Sequence, residues 1–194
     1  MLTFPNLSIE PLLYPQFVDD LRFFETGETI YVTEKIPGIE ARFVYHERHD
    51  YVGNKFSWLA NEPENELHWG MHKQYPGLLA YTRANPGHVI HATMYEDKMA
   101  IFSIYDALSG QYLTTKAWRG RMQFSRLPVV DLLGSCQWAP GVFEEDVVPF
   151  LTGHSKHRQG KFVAGLILTP ERERFYMPTH NTFQRVAFKH EAPK

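Results

Sequence analysis

Alternating apolar and polar residues mark two strands near the start of the chain, at residues 29–33 and 39–45. In the second, one side carries Ile39, Ala41, Phe43 and Tyr45, and the other carries Glu40, Arg42 and Val44. A period of two is typical of a half-buried strand, and the turn-forming pair Pro37-Gly38 separates the two segments. The pattern therefore predicts a β-hairpin in this region.

Further along, apolar runs bounded by turn residues predict more strands than helices. The predicted strands cover residues 88–95, 99–105, 111–115, 162–169 and 182–189. Helical spacing predicts a short helix from Pro15 and a helical region over 64–84 that Gly70 and Pro76-Gly77 interrupt. The acids at 144–146 suit the start of a helix that Pro149 keeps short. These elements follow no regular βαβ order, so the predicted fold class is α+β.

Composition narrows the class of protein. The chain has 194 residues, of which 43% are hydrophobic and 14% aromatic, and this predicts a single domain over residues 1–194 with a substantial core. The longest apolar stretches are far shorter than the roughly 18 residues that span a bilayer. Cys136 is the single cysteine, which excludes internal disulfides and cysteine-built zinc sites. Because no charged leader begins the chain either, the sequence predicts a cytoplasmic protein.

Charge is distributed unevenly along the chain. Residues 1–97 hold 7 Lys and Arg against 14 Asp and Glu, whereas residues 98–194 hold 13 against 8, which makes the second half basic. One segment without acids contains Lys116, Arg119, Arg121 and Arg126, together with Trp118 and Phe124. Basic residues beside aromatic rings suit the phosphates and bases of a polyanion. The alternative is an ordinary solvated surface.

The hairpin carries a lysine directly before its turn. Residues 34–38 read Glu-Lys-Ile-Pro-Gly, which places Lys35 at the end of one predicted strand. An amine at the mouth of a sheet can act as a covalent nucleophile when its surroundings keep a fraction of it unprotonated. So short a pattern also fits an ordinary lysine on the surface of a hairpin. The motifs elsewhere in the chain decide between a catalytic lysine and a surface lysine.

Motifs in the same order along nearly the whole chain resemble those of ATP-dependent RNA ligases, which are covalent nucleotidyltransferases like DNA ligases and mRNA capping enzymes. The segments are 4–7 (Phe-Pro-Asn-Leu) before 34–38, 56–59 with 66–69, 88–95, 100–106 with 110–113, 162–170, and 185–189. The resemblance implies an α+β adenylyltransferase domain that holds ATP between antiparallel sheets.

The resemblance also implies a reaction. A lysine attacks the α-phosphorus of ATP and releases pyrophosphate, the AMP passes to an RNA 5′-phosphate, and a 3′-hydroxyl displaces it to join the ends. Charge accumulates on phosphate oxygens, so ATP and Mg²⁺ or Mn²⁺ are the implied cofactors. Lys35 corresponds to the catalytic nucleophile. The implied nucleotide-binding residues are Glu34, Gly38, Arg42, Thr93, Phe102 and Lys189.

Some of these residues have specific implied roles. Phe102 stacks on the purine, Lys189 contacts the α-phosphate, Thr93 accepts a ribose hydrogen bond, and Gly38 allows a tight turn. The implied partner is RNA with single-stranded or nicked ends, bound by Lys116, Arg119, Arg121 and Arg126. The chain is expected to be a monomer without a C-terminal accessory domain.

At several motif positions this sequence departs from the family pattern. The residues concerned are Pro37, Trp58, Thr93, Ser103, Ala164 and Ala187, four of which replace a carboxylate of the family pattern. Removing one fixed electrostatic group commonly slows catalysis by ~10²–10³. The alternative function is therefore a degenerate relative that binds nucleotide or RNA without turnover.

The histidines predict no metal site. His68 and His72 have the i, i+4 spacing of helical metal ligands, but Gly70 lies between them and the sequence supplies no third ligand. His154 and His157 suit a phosphate-facing loop better, since Lys156, Arg158 and Lys161 surround them and repel cations. A phosphate-binding glycine loop is absent from the sequence, so P-loop and dinucleotide-binding enzymes are excluded.

Overall fold

The computed structural model describes residues 17–18, 20–179 and 182–192. The strands are β1 (Phe17–Val18), β2 (Thr29–Glu34), β3 (Ile39–His46), β4 (His49–Gly53), β5 (Trp58–Leu59), β6 (His88–Tyr95), β7 (Lys98–Asp106), β8 (Gln111–Tyr112), β9 (Leu132–Gln137), β10 (Gly165–Pro170), β11 (Phe175–Thr179) and β12 (Thr182–Glu191). The α-helices are α1 (Glu66–Gln74), α2 (Pro76–Ala84) and α3 (Thr115–Phe124). The predicted α+β class is confirmed.

The described chain divides into two compact units. One, the central unit, spans Gly38–Val129, and the other, the flanking unit, combines the residues up to Pro37 with those from Val130 onward. Each unit contains its own sheet, and the two names refer only to position in the sequence. Among the described residues, no helix is long and apolar enough to cross a membrane.

The flanking unit contains a six-stranded sheet in the order β1-β12-β10-β2-β9, with β11 paired to β12. β2 lies between β10 and β9 and pairs antiparallel with both. Ile30 and Val32 of β2 and Leu166 and Leu168 of β10 are fully buried in one hydrophobic core. Because side chains alternate along a strand, Thr33 and Lys35 belong to the opposite face, and we call this the lysine face.

The central unit contains a second sheet, entirely antiparallel, in the order β5-β4-β3-β6-β7-β8. Its middle strands β6 and β7 are buried along nearly their whole length. Helix α3 buries Thr115, Trp118 and Met122, which follow helical spacing, while its remaining side chains are half-buried or exposed. Thr114 caps α3 by accepting a hydrogen bond from the Ala117 amide.

Several predicted elements differ from the structure. The predicted β-hairpin of residues 29–33 and 39–45 is wrong, because β2 pairs with β10 and β9 whereas β3 pairs with β4 and β6. The helix from Pro15 is wrong for residues 17–18, which form β1 beside β12, and its first residues lie outside the described part of the chain. Pro76 does divide the 64–84 region into α1 and α2, but α1 continues through Gly70. The predicted strand at 111–115 ends at Tyr112, because Thr114 is the N-cap of α3 and Thr115 its first residue. In β1, backbone pairing with β12 decides the structure, although the spacing of apolar residues there is that of a helix.

Candidate functional site

Lys35 directly follows the last residue of β2. Its backbone amide donates a hydrogen bond to the Gly165 carbonyl (2.8 Å), which continues the pairing of β2 with β10. The side chain is mostly buried, with 21% of its surface exposed, and Nζ donates a hydrogen bond to Glu191 Oε1 (2.9 Å). The backbone of the sheet therefore fixes the base of the lysine, and Glu191 holds its tip.

Gly165 leaves the space that this lysine occupies. A Cβ atom at this position would lie 2.6 Å from the His190 carbonyl oxygen and 3.2 Å from Lys35 Cδ. The first of these distances is shorter than a carbon–oxygen contact allows, so any larger residue displaces the β12 backbone. The glycine of the 162–170 motif is therefore required in this chain because a side chain at position 165 would clash with β12.

Lys189 and Glu191 complete a charged cluster on the lysine face. They project from the same side of β12, and Lys189 Nζ lies 3.1 Å from the same Glu191 oxygen that accepts from Lys35. Hydrogen bonds from Lys35 and Lys189 lower the pKa of Glu191 from 4.5 to about 2. Two ammonium groups therefore converge on one anionic oxygen, an arrangement that suits a bound phosphate equally well.

Glu191 is a residue of this cluster that the sequence motifs do not include, although the sequence contains a signal for it. Lys189 was identified from the closing motif, and a residue two positions further on a strand lies on the same side. Pairing of Gly165 with Glu191 then brings this carboxylate beside Lys35. The family pattern has a glutamate at the position of Ala164. In this chain Glu191, on the neighbouring strand β12, supplies a carboxylate close to that position.

The pKa of Glu191 predicts how acid affects the flanking unit. Because the folded-state pKa is below 4.5, the ionised carboxylate contributes stability that is present above pH 4.5 and lost as the pH falls towards 2. We expect Glu191→Gln to lower the free energy of unfolding slightly at pH 7, since Glu191 is 57% exposed and water screens the pair. Urea titrations of both proteins from pH 7 to pH 2 should show this difference shrinking; a constant difference would contradict the ion-pair assignment.

Glu34 lies on the other face of β2 and does not share the environment of Lys35. Its side chain is fully buried, and neither carboxylate oxygen has a hydrogen-bond partner among the described residues. Asp131 and His157 lie beside it, with one ligand atom of each of the three side chains within 4.8 Å of the others. The predicted role of Glu34 in nucleotide binding remains a prediction, and its side chain faces a different cluster.

Gly38 and Thr93 are neighbours in the central unit. A Cβ atom at Gly38 would meet the Met94 carbonyl oxygen at 2.2 Å and Thr93 Cγ2 at 2.6 Å. The requirement for glycine is therefore close approach of β3 to β6, whereas the sequence analysis attributed it to a tight turn. Thr93 itself is 7% exposed and pairs with Glu40 across the sheet.

Arg42 is a buried cation that has no carboxylate partner among the described residues. Its side chain is 1% exposed, Nε donates to the Asn54 carbonyl (2.7 Å), and the guanidinium lies 4.2 Å from the centroid of the Trp58 ring. Nη1 and Nη2 have no hydrogen-bond partner within the described part of the chain. Burial lowers the pKa of Arg42 to about 10. An anionic ligand at Nη1 and Nη2 would offset the cost of burying this charge.

Phe102 occupies an irregular point in the central sheet. Along the β6–β7 ladder, His91 pairs with Ser103 and Ala92 pairs with Ile101, so Phe102 is the extra residue of a β-bulge. Its half-buried ring lies 6.1 Å from His91, centroid to centroid. Bulges commonly redirect a side chain beside a functional site. The structure thus gives Phe102 a distinct backbone position that the motif alone did not predict.

The four basic residues of the 116–126 segment lie on or next to α3. Lys116, Arg121 and Arg126 are exposed and Arg119 is half-buried, with its guanidinium 5.5 Å from the Trp118 ring centroid. Trp118 is 1% exposed and belongs to the core, whereas Phe124 is 91% exposed. Of the two aromatic residues noted in the sequence, Phe124 is the one whose ring a nucleic-acid base can reach.

The α1 histidines have separate structural environments. His72 is buried, with its ring stacked on Phe43 (5.9 Å) and edge-on to Trp69 (5.9 Å), and burial lowers its pKa. Burial also lowers the pKa of the half-buried His68. The described residues contain one group with the ligand types and spacing of a metal site, and it includes neither of these histidines. His72 packs as a core residue.

Comparison with known proteins identifies the architecture. Naegleria gruberi RNA ligase with PPi matches with a TM-score of 0.70 at 15% identity, over 97% of this chain and 61% of that chain. A variant of that ligase with AMP and Mn gives 0.72 at 16% identity over 94% and 57%. An apo variant gives 0.69 at 16% identity over 86% and 50%. No family model matches the chain, and no curated protein matches it.

The likeness extends over most of this chain but not over most of the ligases. The chain covers between 50% and 61% of the length of the three structures. At 15–16% identity the match establishes the fold alone. It confirms, at that level, the resemblance of the motifs: this chain has the fold of these RNA ligase structures.

Proposed function

We propose that the chain is an RNA ligase-like nucleotidyltransferase that forms a lysyl-AMP intermediate on Lys35. The observation that carries the proposal is the convergence of the Lys35 and Lys189 ammonium groups on one anionic oxygen. In nucleotidyl transfer the α-phosphate needs a nucleophile on one side and a cation beside its oxygens. Ligase structures with the same fold contain ATP and Mn, AMP and Mn, or PPi.

The proposed reaction begins when the ion pair with Glu191 opens. Nζ must lose a proton to attack, and phosphate oxygens of ATP replace the carboxylate as partners of the two lysines. A nitrogen–phosphorus bond then forms at the α-phosphorus, and the bond to pyrophosphate breaks. Passing the AMP to an RNA 5′-phosphate regenerates Lys35, and a 3′-hydroxyl attacks the activated phosphate and releases AMP.

A divalent ion fits the proposed site through Glu191. Mg²⁺ and Mn²⁺ bind oxygen ligands, and Mg²⁺ typically uses one or two carboxylates together with substrate phosphates. Glu191 is such a carboxylate on the lysine face, more than half exposed and adjacent to both lysines. When bound, the ion would neutralise charge on the phosphate oxygens.

Four further residues that the motifs imply for nucleotide binding belong to the central unit, and their roles are proposed within that unit alone. Phe102 stacks on the purine from its bulge, and Thr93 accepts a hydrogen bond from the ribose. Arg42 donates hydrogen bonds from Nη1 and Nη2 to an anionic group, which compensates a buried guanidinium that has no carboxylate partner in the described part of the chain. Gly38 keeps β3 close enough to β6 for this arrangement.

The proposal is tested by incubating the full chain with ATP labelled at the α-phosphate, in Mg²⁺ or Mn²⁺, and separating the products on a denaturing gel. We expect label on the protein from α-labelled ATP and none from γ-labelled ATP, because pyrophosphate leaves. Protein that binds ATP but acquires no α-label with either ion would overturn the proposal. That result would favour a nucleotide-binding relative without turnover.

The basic residues of α3 give a separate prediction about RNA. Changing Lys116, Arg119, Arg121 and Arg126 together to Gln should weaken binding of single-stranded RNA and flatten its salt dependence. Up to four lost phosphate contacts would reduce the slope of log K against log salt by about 3. Fluorescence anisotropy between 50 and about 200 mM salt measures this. The control is the double variant Lys55→Gln with Lys98→Gln, which changes two exposed lysines outside α3. If the unaltered chain, the α3 variant and the control had the same slope of log K against log salt, α3 would be an ordinary solvated surface.

A further inference from the structure

Glu34 places a buried carboxyl group where no hydrogen bond within the described residues satisfies it. Its side chain is 0% exposed, and both Oε1 and Oε2 lack hydrogen-bond partners among the described residues. An ionised carboxylate in such a place is costly unless a cation or several donors face it. The carboxylate therefore indicates a missing positive ligand on the core face of β2, behind the strand that ends at Lys35.

Two further metal-ligand side chains meet Glu34 there. Asp131 directly precedes β9, and its carbonyl accepts a hydrogen bond from the Glu34 amide (2.9 Å). His157 belongs to the loop between the short helix that ends at Thr152 and β10, and its Nε2 lies 3.9 Å from Asp131 Oδ1. Backbone pairing thus places Asp131 next to Glu34 independently of any side-chain interaction.

The loop that carries His157 has a defined conformation. The Ser155 amide donates to the Lys161 carbonyl (2.9 Å), and Ser155 Oγ accepts from the Arg158 amide (3.1 Å). Arg158 Nη2 donates to the Phe162 carbonyl (2.6 Å), so this cation is directed at backbone and not at the cluster. These bonds hold His157 towards Asp131, whereas the sequence analysis placed it in a phosphate-facing loop.

We propose that Glu34, Asp131 and His157 bind a divalent transition-metal ion such as Zn²⁺. Two carboxylate oxygens and one imidazole nitrogen are a donor set that suits Zn²⁺ better than Mg²⁺ or Ca²⁺, which prefer oxygen alone. The three ligand atoms lie within 4.8 Å of one another, and tetrahedral zinc ligands are separated by about 3.4 Å at bond lengths near 2.1 Å. Small rotations of the half-buried Asp131 and His157 side chains close the difference.

One competing cation lies near the cluster. Lys156 Nζ is 3.7 Å from Asp131 Oδ2, but its side chain is 80% exposed and can turn into solvent. The lysine approaches Asp131 alone, so it leaves the buried Glu34 carboxylate uncompensated. A metal ion would satisfy both carboxylates and connect β2, β9 and the His157 loop. The site lies on the other face of β2 from Lys35.

The test is a Zn²⁺ titration of the full chain by calorimetry, without nucleotide and after treatment with EDTA. We expect one tight site per chain and a rise in Tm when Zn²⁺ is added. Glu34→Gln removes the buried ligand with little change in shape and should weaken this site by roughly 100-fold or more. His157→Gln, which lies in the loop, should weaken Zn²⁺ binding to a similar extent. This variant replaces Glu34→Gln in the test if Glu34→Gln fails to fold.

His154→Gln is the matched control, because His154 is an exposed histidine of the same loop whose ring packs against Phe162 (4.8 Å). It should bind Zn²⁺ as the unaltered chain does. Co²⁺ added in place of Zn²⁺ should give the visible absorption of a protein-bound ion, and Glu34→Gln should lose it. Equal Zn²⁺ affinity in the unaltered chain and in Glu34→Gln, or no effect of EDTA and Zn²⁺ on Tm, would overturn the proposal in favour of a cluster that holds no metal ion.

Discussion

Lys35→Ala protein incubated with α-labelled ATP and Mn²⁺ is expected to remain unlabelled, at least ~10³-fold below the unaltered chain. The substitution removes the amine that forms the phosphoramidate, and the neighbouring Lys189 projects from a different strand, β12. Lys35→Arg should be equally inactive, because a guanidinium keeps the charge opposite Glu191 but is not a nucleophile at neutral pH. Label and ATP binding are measured in parallel.

Two comparisons separate a chemical effect from misfolding. Lys161→Ala changes an exposed lysine of the same unit and should be labelled like the unaltered chain. Lys35→Ala should unfold at a similar urea concentration, since the ion pair it loses has a partner that is more than half exposed. Persistent label in Lys35→Ala would mean that another residue is the nucleophile.

Arg185→Ala is expected to destabilise the flanking unit by about 3–5 kcal/mol, because it leaves a buried carboxylate without its partner. Arg185 donates Nε to Glu173 Oε2 (2.9 Å) and Nη2 to Glu173 Oε1 (2.5 Å), and the two side chains are 2% and 4% exposed. Arg185 belongs to β12, the strand that also carries Lys189 and Glu191. Urea unfolding at pH 7 measures the loss.

An exposed pair of the same unit provides the control for this prediction. Arg22 and Asp20 form an ion pair in which the arginine side chain is 91% exposed, so Arg22→Ala should leave the unfolding midpoint unchanged. Replacing both buried partners, Arg185→Met with Glu173→Leu, should restore much of the stability, since no unpaired charge remains. If Arg185→Ala were as stable as Arg22→Ala, the burial of this pair would be wrong.

The parts of the fold that could be predicted from sequence are those where burial dictates the pattern. Strand β6 was predicted with its observed bounds, because all of its residues after His88 are buried and five of its eight residues are apolar. Strand β9 was missed because it is the edge strand of the flanking sheet, where half-buried and exposed positions carry Gly, Ser and Gln. At an edge, backbone pairing forms the strand and the side chains give little signal.

The functional residues divide in the same way. Lys35 and Lys189 were identified from motifs, and Glu191 could have been inferred from the period of a strand. The grouping of Glu34 with His157 could not, because 123 residues separate them in sequence and the fold alone brings them together. The same holds for the bulge at Phe102, which is visible only in the register of β6 against β7.

Peptide mapping of the covalent product tests the central claim most directly. The full chain is incubated with ATP and Mn²⁺, digested, and examined by mass spectrometry under conditions that preserve a phosphoramidate. The account predicts one AMP per chain, attached to the peptide that contains Lys35 and absent when ATP is replaced by an analogue that cannot release pyrophosphate. An adduct on Lys189 or on any other peptide, or no adduct while ATP is bound, would contradict it.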